Sequence, residues 1–276
     1  MIVSAPVGTA AGIQRYWDEP IIRKSFARLL ESLPDVKERA RLLAVSAPKS
    51  SDWLHALPIA SCGLRLDDEA VRIAAGLRLG SKLCEPHECV CGGSVDPRGH
   101  HGLSCRRSSG RSSRHHNLND IVWRALAKAD IPAVKEPSGL SRTDGKRPDG
   151  LTQIPWAGGK CLLWDVTVTD TLANSYVDVS SISAGGAAEL AADRKISKYS
   201  NLSAGYSFVP LAFETLGPVN KEGDEFLTML GKRLSAATGD KRESCFLRQR
   251  LSICLQRFNS VCVKGTLSSN LDLLHS

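Results

Sequence analysis

The sequence predicts an α/β fold of modest size, and three observations carry that reading. Amphipathic helical stretches alternate with short strand-like runs from Asn117 onward. One run, CLLWDVTVTD, sets Leu163, Asp165, Thr167 and Thr169 on one face and Trp164, Val166 and Val168 on the other, the two-residue period of a strand. At 276 residues, 42% of them apolar and 24% charged, the chain can build one large domain or two smaller ones, each with its own core.

The N-terminal third reads as helical. In IIRKSFARLLESLP, Ile22, Phe26, Leu29, Leu30 and Leu33 recur near helical spacing until Pro34 stops them. A second helix is expected over 36–45, then a break at SAPKSS and a short turn in which Asp52 caps Trp53 and Leu54. LDDEAVRIAAGLRLG has acids at its start and Gly after its end, the order a helix dipole favours. In NLNDIVWRALAKADIP, Leu118, Ile121, Val122, Ala125, Leu126 and Ala129 share a face, and Pro132 ends the helix. Strands are expected at AVKEP, around Pro148 and Asp149, and at CLLWDVTVTD. A helix over 187–199 and an apolar strand in YSFVPLAFETLG follow. Helices near 224–236 and 241–263 close the chain, the last striped by Leu247, Leu251, Cys254, Leu255, Phe258 and Val261.

The formal net charge of +7, from 36 Lys plus Arg against 29 Asp plus Glu, is unevenly spread. Residues 97–119 hold five Arg, four His and no acid. Such a run either solvates a loop or helix face or binds phosphate. No apolar run reaches the roughly 20 residues of a spanning helix. The N-terminus lacks the basic start and apolar stretch of a signal peptide, so an intracellular protein, nuclear or cytoplasmic and not secreted, is expected. Nine Cys without a secretion signal argue against a disulfide framework. Cys62, Cys161, Cys245, Cys254 and Cys262 read as small buried hydrophobes.

The remaining four cluster beside histidines. Cys89 and Cys91, then nine residues, His101, three residues and Cys105 supply three thiolates and an imidazole, the donor set of a closed tetrahedral zinc site. Gly92, Gly93, Asp96, Pro97 and Gly99 between the halves suit a small knuckle, and the zinc reads as structural. Cys84 in place of Cys89, and His100 in place of His101, are the alternatives.

KRPDG places Asp149 after Pro148, and sixteen residues later WDVTV places Asp165 on a strand. Two carboxylates from adjacent strands can hold Mg²⁺ before a phosphodiester, where the ion activates a water and neutralises phosphate charge. Thr167 shares the face of Asp165, and Glu136 on the preceding strand can add a third carboxylate.

The ordered combination of CVCGGSVDPRGHHGLSC, SSRHHNLND, GKRPDG and LLWDVTVTD resembles the C-terminal endonuclease region of non-LTR retrotransposons of the restriction-enzyme-like type, and related reverse-transcriptase proteins. AADRKISKYSNL resembles the Lys-rich, Tyr-bearing helix that follows in such proteins, and DWLHALPIASCGLRLDDEAVRIAAGLRLG the segment that precedes the knuckle. The resemblance covers roughly residues 52–217. It implies a restriction-endonuclease-like core of the PD-(D/E)xK class, with Asp149 and Asp165 binding Mg²⁺ and Glu136 assisting. Thr167 stands where many such enzymes carry a Lys, and a Lys from the next helix, Lys198 in preference to Lys195, takes over its role. Arg114, His115 and Asn117 match an Arg-His-Asn element with an extra His inserted; they contact phosphate or hold the knuckle against the core, and His116 can fill the His role.

The expected organisation is a helical region at 1–80, a zinc knuckle at 81–110, an endonuclease-like domain at 111–265 and a tail at 266–276. The leading reading is a Mg²⁺-dependent endonuclease derived from a retrotransposon that nicks DNA, with RNA a second possible target and a homodimer one possible assembly. No small-molecule cofactor is expected. Arg106, Arg107, Arg111, Arg114, His115, Asn117, Lys146 and Arg147 are the expected nucleic-acid contacts. With no YxDD-like motif and no room for palm and fingers, the chain reads as the C-terminal piece of a longer element. The alternatives are a catalytically inactive nucleic-acid-binding remnant and a zinc-stabilised protein-interaction domain.

Overall fold

The computed structural model describes residues 14–140, 147–202 and 204–267. Helices α1 (Gln14–Ser32), α2 (Val36–Ser46) and α3 (Asp68–Leu79) lead into a two-stranded ribbon of β1 (His87–Glu88) and β2 (Ser94–Val95). A short α4 (His100–Ser104) and a long α5 (Ser109–Lys128) follow. Next come β3 (Ala133–Lys135), β4 (Gly150–Ala157) and β5 (Lys160–Thr169), then α6 (Val177–Ile182) and α7 (Gly186–Tyr199). Strand β6 (Ser207–Glu214), α8 (Lys221–Thr238) and α9 (Glu243–Lys264) complete the described chain. The fold is mixed α/β, and no helix among the described residues is long and apolar enough to cross a membrane.

The main sheet has the order β3-β4-β5-β6, antiparallel through β5 and parallel between β5 and β6. A parallel pair needs a crossover, which α6 and α7 supply. Strand β5 is buried on both faces. Leu162, Trp164 and Val166 pack with Leu118, Val122 and Leu126 of α5 and with Phe226 and Leu230 of α8. On the opposite side, Ala188, Ala191 and Ala192 of α7 lie on Ala212 of β6, small residues that let the helix approach closely.

Most expected elements form, with ends shifted by a few residues in either direction. Helix α5 starts at Ser109 rather than Asn117, so the acid-free run supplies its first turns. Asp67 caps α3 by accepting the Ala70 N–H at 2.7 Å, and Gly80 ends it at φ 73°, the left-handed conformation glycine tolerates. The helix read from Ile21 extends back to Gln14 with Pro20 inside, but Ile22 and Leu29 stay exposed. Trp53 is buried with Leu64, Leu66 and Ile253. Of the five scattered cysteines, Cys254 and Cys262 are buried as expected; Cys161 is half-buried, and Cys62 and Cys245 are exposed.

Residues 36–80 do not stand apart from the body. Ala40 and Ala44 of α2, Ile73 and Leu77 of α3, Leu103 of α4, Leu172, Leu216 and Val263 form one apolar cluster. Helices α2 and α3, the knuckle and the α/β core therefore share buried surface.

At the end of β6, the fully buried Glu214 caps α7. Its Oε1 accepts the Ala187 and Ala188 N–H groups at 3.0 and 3.2 Å. Burial pushes its carboxyl up from 4.5 to about 7, against the pull of those amides and Thr171. Between those two values the folded chain holds a proton that the unfolded chain releases, so stability falls as pH rises through the window and levels off above about 7. Glu214→Gln is expected to flatten this dependence, read as the difference in melting temperature between about pH 5 and about pH 8.

Candidate metal centre and carboxylate site

The β1–β2 ribbon and α4 build the knuckle. Cys89 N–H donates to the Gly93 carbonyl at 2.8 Å and Gly92 N–H to the Cys89 carbonyl at 2.7 Å, turning the chain so that both thiols face α4. A side chain at Gly93 would meet the His101 ring at 2.7 Å, so only glycine lets the ring in. Cys89 Sγ lies 3.7 Å from Cys105 Sγ, and Cys91 Sγ 3.2 Å from His101 Nε2. The four ligand atoms all lie within 4.8 Å of one another, a set that could hold a zinc ion. Among the described residues no other group of three or more potential ligands converges in this way. The Gly93 amide lowers the Cys91 thiol to about 7, whereas burial raises Cys89 to about 11, so metal binding here is coupled to proton release.

The alternative ligands fall outside the converging set, although Cys84 packs against it. Cys84 Sγ points at the carbonyls of Asp96 and Pro97, at 3.5 and 3.8 Å. His100 is buried, with Nδ1 3.4 Å from Asp96 Oδ2.

The carboxylate site forms where the loop before β4 meets β5. Asp149 N–H donates to the Trp164 carbonyl at 3.0 Å, and Asp149 Oδ2 accepts the Val166 N–H at 2.6 Å. His115 Nε2 reaches the same Oδ2 at 3.0 Å and the Val166 carbonyl at 3.1 Å. Asp165, 3% exposed, lies on β5 with Oδ1 2.6 Å from Lys195 Nζ. Burial raises the Asp165 carboxyl and the nearby Asp149 charge raises it further, while Lys195 opposes both. The hydrogen bond to Asp149 raises the His115 pKa against the effect of burial.

Helix α5 delivers this geometry through residues spaced by four. Arg111, His115 and Asn119 share one side of the helix. Asn119 Nδ2 donates to the Asp149 carbonyl at 3.3 Å, and its Oδ1 accepts Trp164 Nε1–H at 2.7 Å. Asn119 escaped the sequence reading, although a polar residue beside Leu118 and Val122 on the apolar face was the available signal.

Several expected contacts fall differently. Arg114 is 2% exposed and cannot reach a phosphate. Its guanidinium donates to Asn259 Oδ1 at 2.7 Å and to the Leu103 carbonyl at 3.2 Å, locking α5 to α9 and α4. Asn117 is exposed and turns back to the Ser113 carbonyl at 2.8 Å. Lys198 lies over the Tyr199 ring, 4.9 Å from its centroid, and it is Lys195, one turn earlier, that faces Asp165. Glu136 is exposed and paired with Arg147, which draws its carboxylate away from Asp149. Thr167 is half-buried opposite Ala212 of β6. Arg106, Arg107 and Arg111 are exposed, the latter two donating to the carbonyls of Val90 and Ser104. Lys146 lies outside the described residues.

No family model and no curated protein matches the chain.

The knuckle geometry gives a direct expectation: purified protein carries about one zinc per chain. Cys105→Ser or His101→Ala should release it to a chelator far sooner than the parent does, whereas Cys84→Ser and His100→Asn should retain it. Metal analysis before and after chelation reads the difference.

Proposed function

We propose that the chain is a Mg²⁺-dependent endonuclease that nicks DNA, with a structural zinc knuckle, descended from the retrotransposon endonucleases its motifs resemble. The observation that carries this reading is the meeting of Asp149, Asp165 and Lys195 beside β5. The fit to a divalent cation rests on the donor set. Two carboxylates close enough for one charge to raise the other's pKa offer hard oxygen ligands, and a cation between them relieves their repulsion. Asp149 and Asp165 would hold the ion, which when bound supplies charge neutralisation and an activated water. Lys195 stands where an ammonium can stabilise the negative charge that builds on the phosphate, a role Thr167 cannot fill because it carries no charge. The exposed Arg106, Arg107 and Arg111 lead from the knuckle along α5 to His115, a path suited to the sugar-phosphate backbone. The neutral Thr167 also favours the second reading, a binding module without catalysis.

Nicking of supercoiled plasmid by the zinc-loaded chain tests the proposal. With Mg²⁺ the parent should cut, and Asp149→Ala, Asp165→Ala and Lys195→Ala should each lower the rate by at least about 100-fold while melting stays cooperative. Lys198→Ala should leave most of the rate. Variants at both Asp residues that cut as well as the parent would overturn the assignment, and binding without cutting in any divalent metal would select the second reading. Replacing Arg106, Arg107 or Arg111 with Ala should weaken DNA binding across sequences and reduce the salt slope by about one per residue. Salt titrations of affinity check this.

A further inference from the structure

We propose that His115 is a positioning residue that restricts the carboxylate site to a single metal ion. The inference rests on the nuclease reading of that site. His115 Nε2 lies within hydrogen-bond reach of two acceptors, Asp149 Oδ2 at 3.0 Å and the Val166 carbonyl at 3.1 Å. Since neither partner can donate to it, Nε2 carries the hydrogen whether the ring is neutral or charged. Asp149 Oδ2 also accepts the Val166 N–H at 2.6 Å. Two donors therefore engage one oxygen, and Oδ1 alone is left to face a cation. On Asp165, Oδ1 is taken by Lys195 at 2.6 Å, so at most one oxygen remains there too.

Paired-metal sites hold their ions about 3.5–4 Å apart, commonly through an acid that offers an oxygen to each. Here Asp149 keeps one oxygen free of the donors on Oδ2, Asp165 keeps one free of Lys195, and Glu136, just after β3, is drawn to Arg147. One ion held jointly by Asp149 and Asp165 is what the geometry allows.

The donor on His115 is rigidly mounted. Its neighbour Arg114 is buried and fastened to Asn259 and Leu103, and Asn119 one turn on holds the Asp149 carbonyl. The Asp149 carboxylate is thus held from its backbone and from Oδ2 before any ion arrives. Partners of this kind, one bond removed from a metal, change affinity by about 10- to 100-fold when removed.

The test is Mn²⁺ binding by the zinc-loaded full chain without DNA, followed by calorimetry and by the electron paramagnetic resonance of free Mn²⁺. The parent should bind one Mn²⁺ that Asp149→Ala abolishes. His115→Ala should weaken that binding by about tenfold or more. His115→Gln, whose amide N–H reaches a similar point, should stay within about twofold. Two Asp149-dependent ions in the parent would overturn the proposal, as would parent-like binding by His115→Ala, or binding by His115→Gln as weak as by His115→Ala. Zinc content and melting temperature verify that each variant folds; if His115→Ala does not, the parent stoichiometry and the His115→Gln affinity decide. A parent that binds one Mn²⁺ through Asp149 yet never nicks DNA sinks the nuclease reading while the His115 assignment stands. A parent with no Asp149-dependent Mn²⁺ overturns both.

Discussion

The side chain of Trp164 is the constraint on which the carboxylate site depends. It is fully buried in the core between the sheet and α5, α8 and α9, and its indole N–H must find an acceptor there. Asn119 of α5 provides it, and the same amide holds the Asp149 carbonyl. The ring lies against Gly150, where any Cβ would come within 1.9 Å of it, so β4 can pair with β5 in this register only because that residue has no side chain. Once Gly150 faces Trp164, the antiparallel register brings Asp149 level with Asp165, and its carboxylate meets the Val166 N–H one residue on. Core packing thereby sets the position of a half-buried carboxylate.

A second line of force joins the knuckle to the same site. Cys89 and Cys91, in the turn of the β ribbon, meet Cys105 and His101 at α4. The Leu103 carbonyl of α4 receives the buried Arg114 guanidinium, which also binds Asn259 of α9, and Asn259 in turn donates to the Thr215 carbonyl beyond β6. Burying a guanidinium is costly, and burial pulls the Arg114 pKa down. The arrangement persists because two of its nitrogens find oxygens. Since His115 follows Arg114 directly, a continuous series of contacts runs from α4 beside the knuckle to Asp149.

Much of this was legible in advance because it depends on short-range pattern. The strand around Asp165, the helices at both ends and the spacing of the knuckle ligands follow from periodicity, caps and sulfur–nitrogen chemistry. The short α4, α6 and the two-residue strands were not, since a turn or two of helix has no period to detect. The exposure of Ile22 and Leu29 was not either, since apolar spacing marks a helix face without showing whether anything covers it. The acid-free run reads as a uniform cationic patch, yet its residues separate by helical phase. Arg106, Arg107 and Arg111 face solvent, Arg114 is sealed inside, and His115 turns to a carboxylate.

What the sequence determined by itself is the inventory: an α/β chain, a Cys/His quartet that could bind zinc, and two aspartates placed on or beside adjoining strands. Tertiary structure decided which residues act together. Lys195 and Lys198 are three apart on one helix and equivalent in composition, but helix rotation against β5 sends one to Asp165 and the other over Tyr199. Glu136 and Asp149 come to adjoining backbone positions, yet the Arg147 ion pair separates their carboxylates in role. Spacing along the chain limits which groups can meet. The packing of α5 and α7 on the two faces of β5 selects among them.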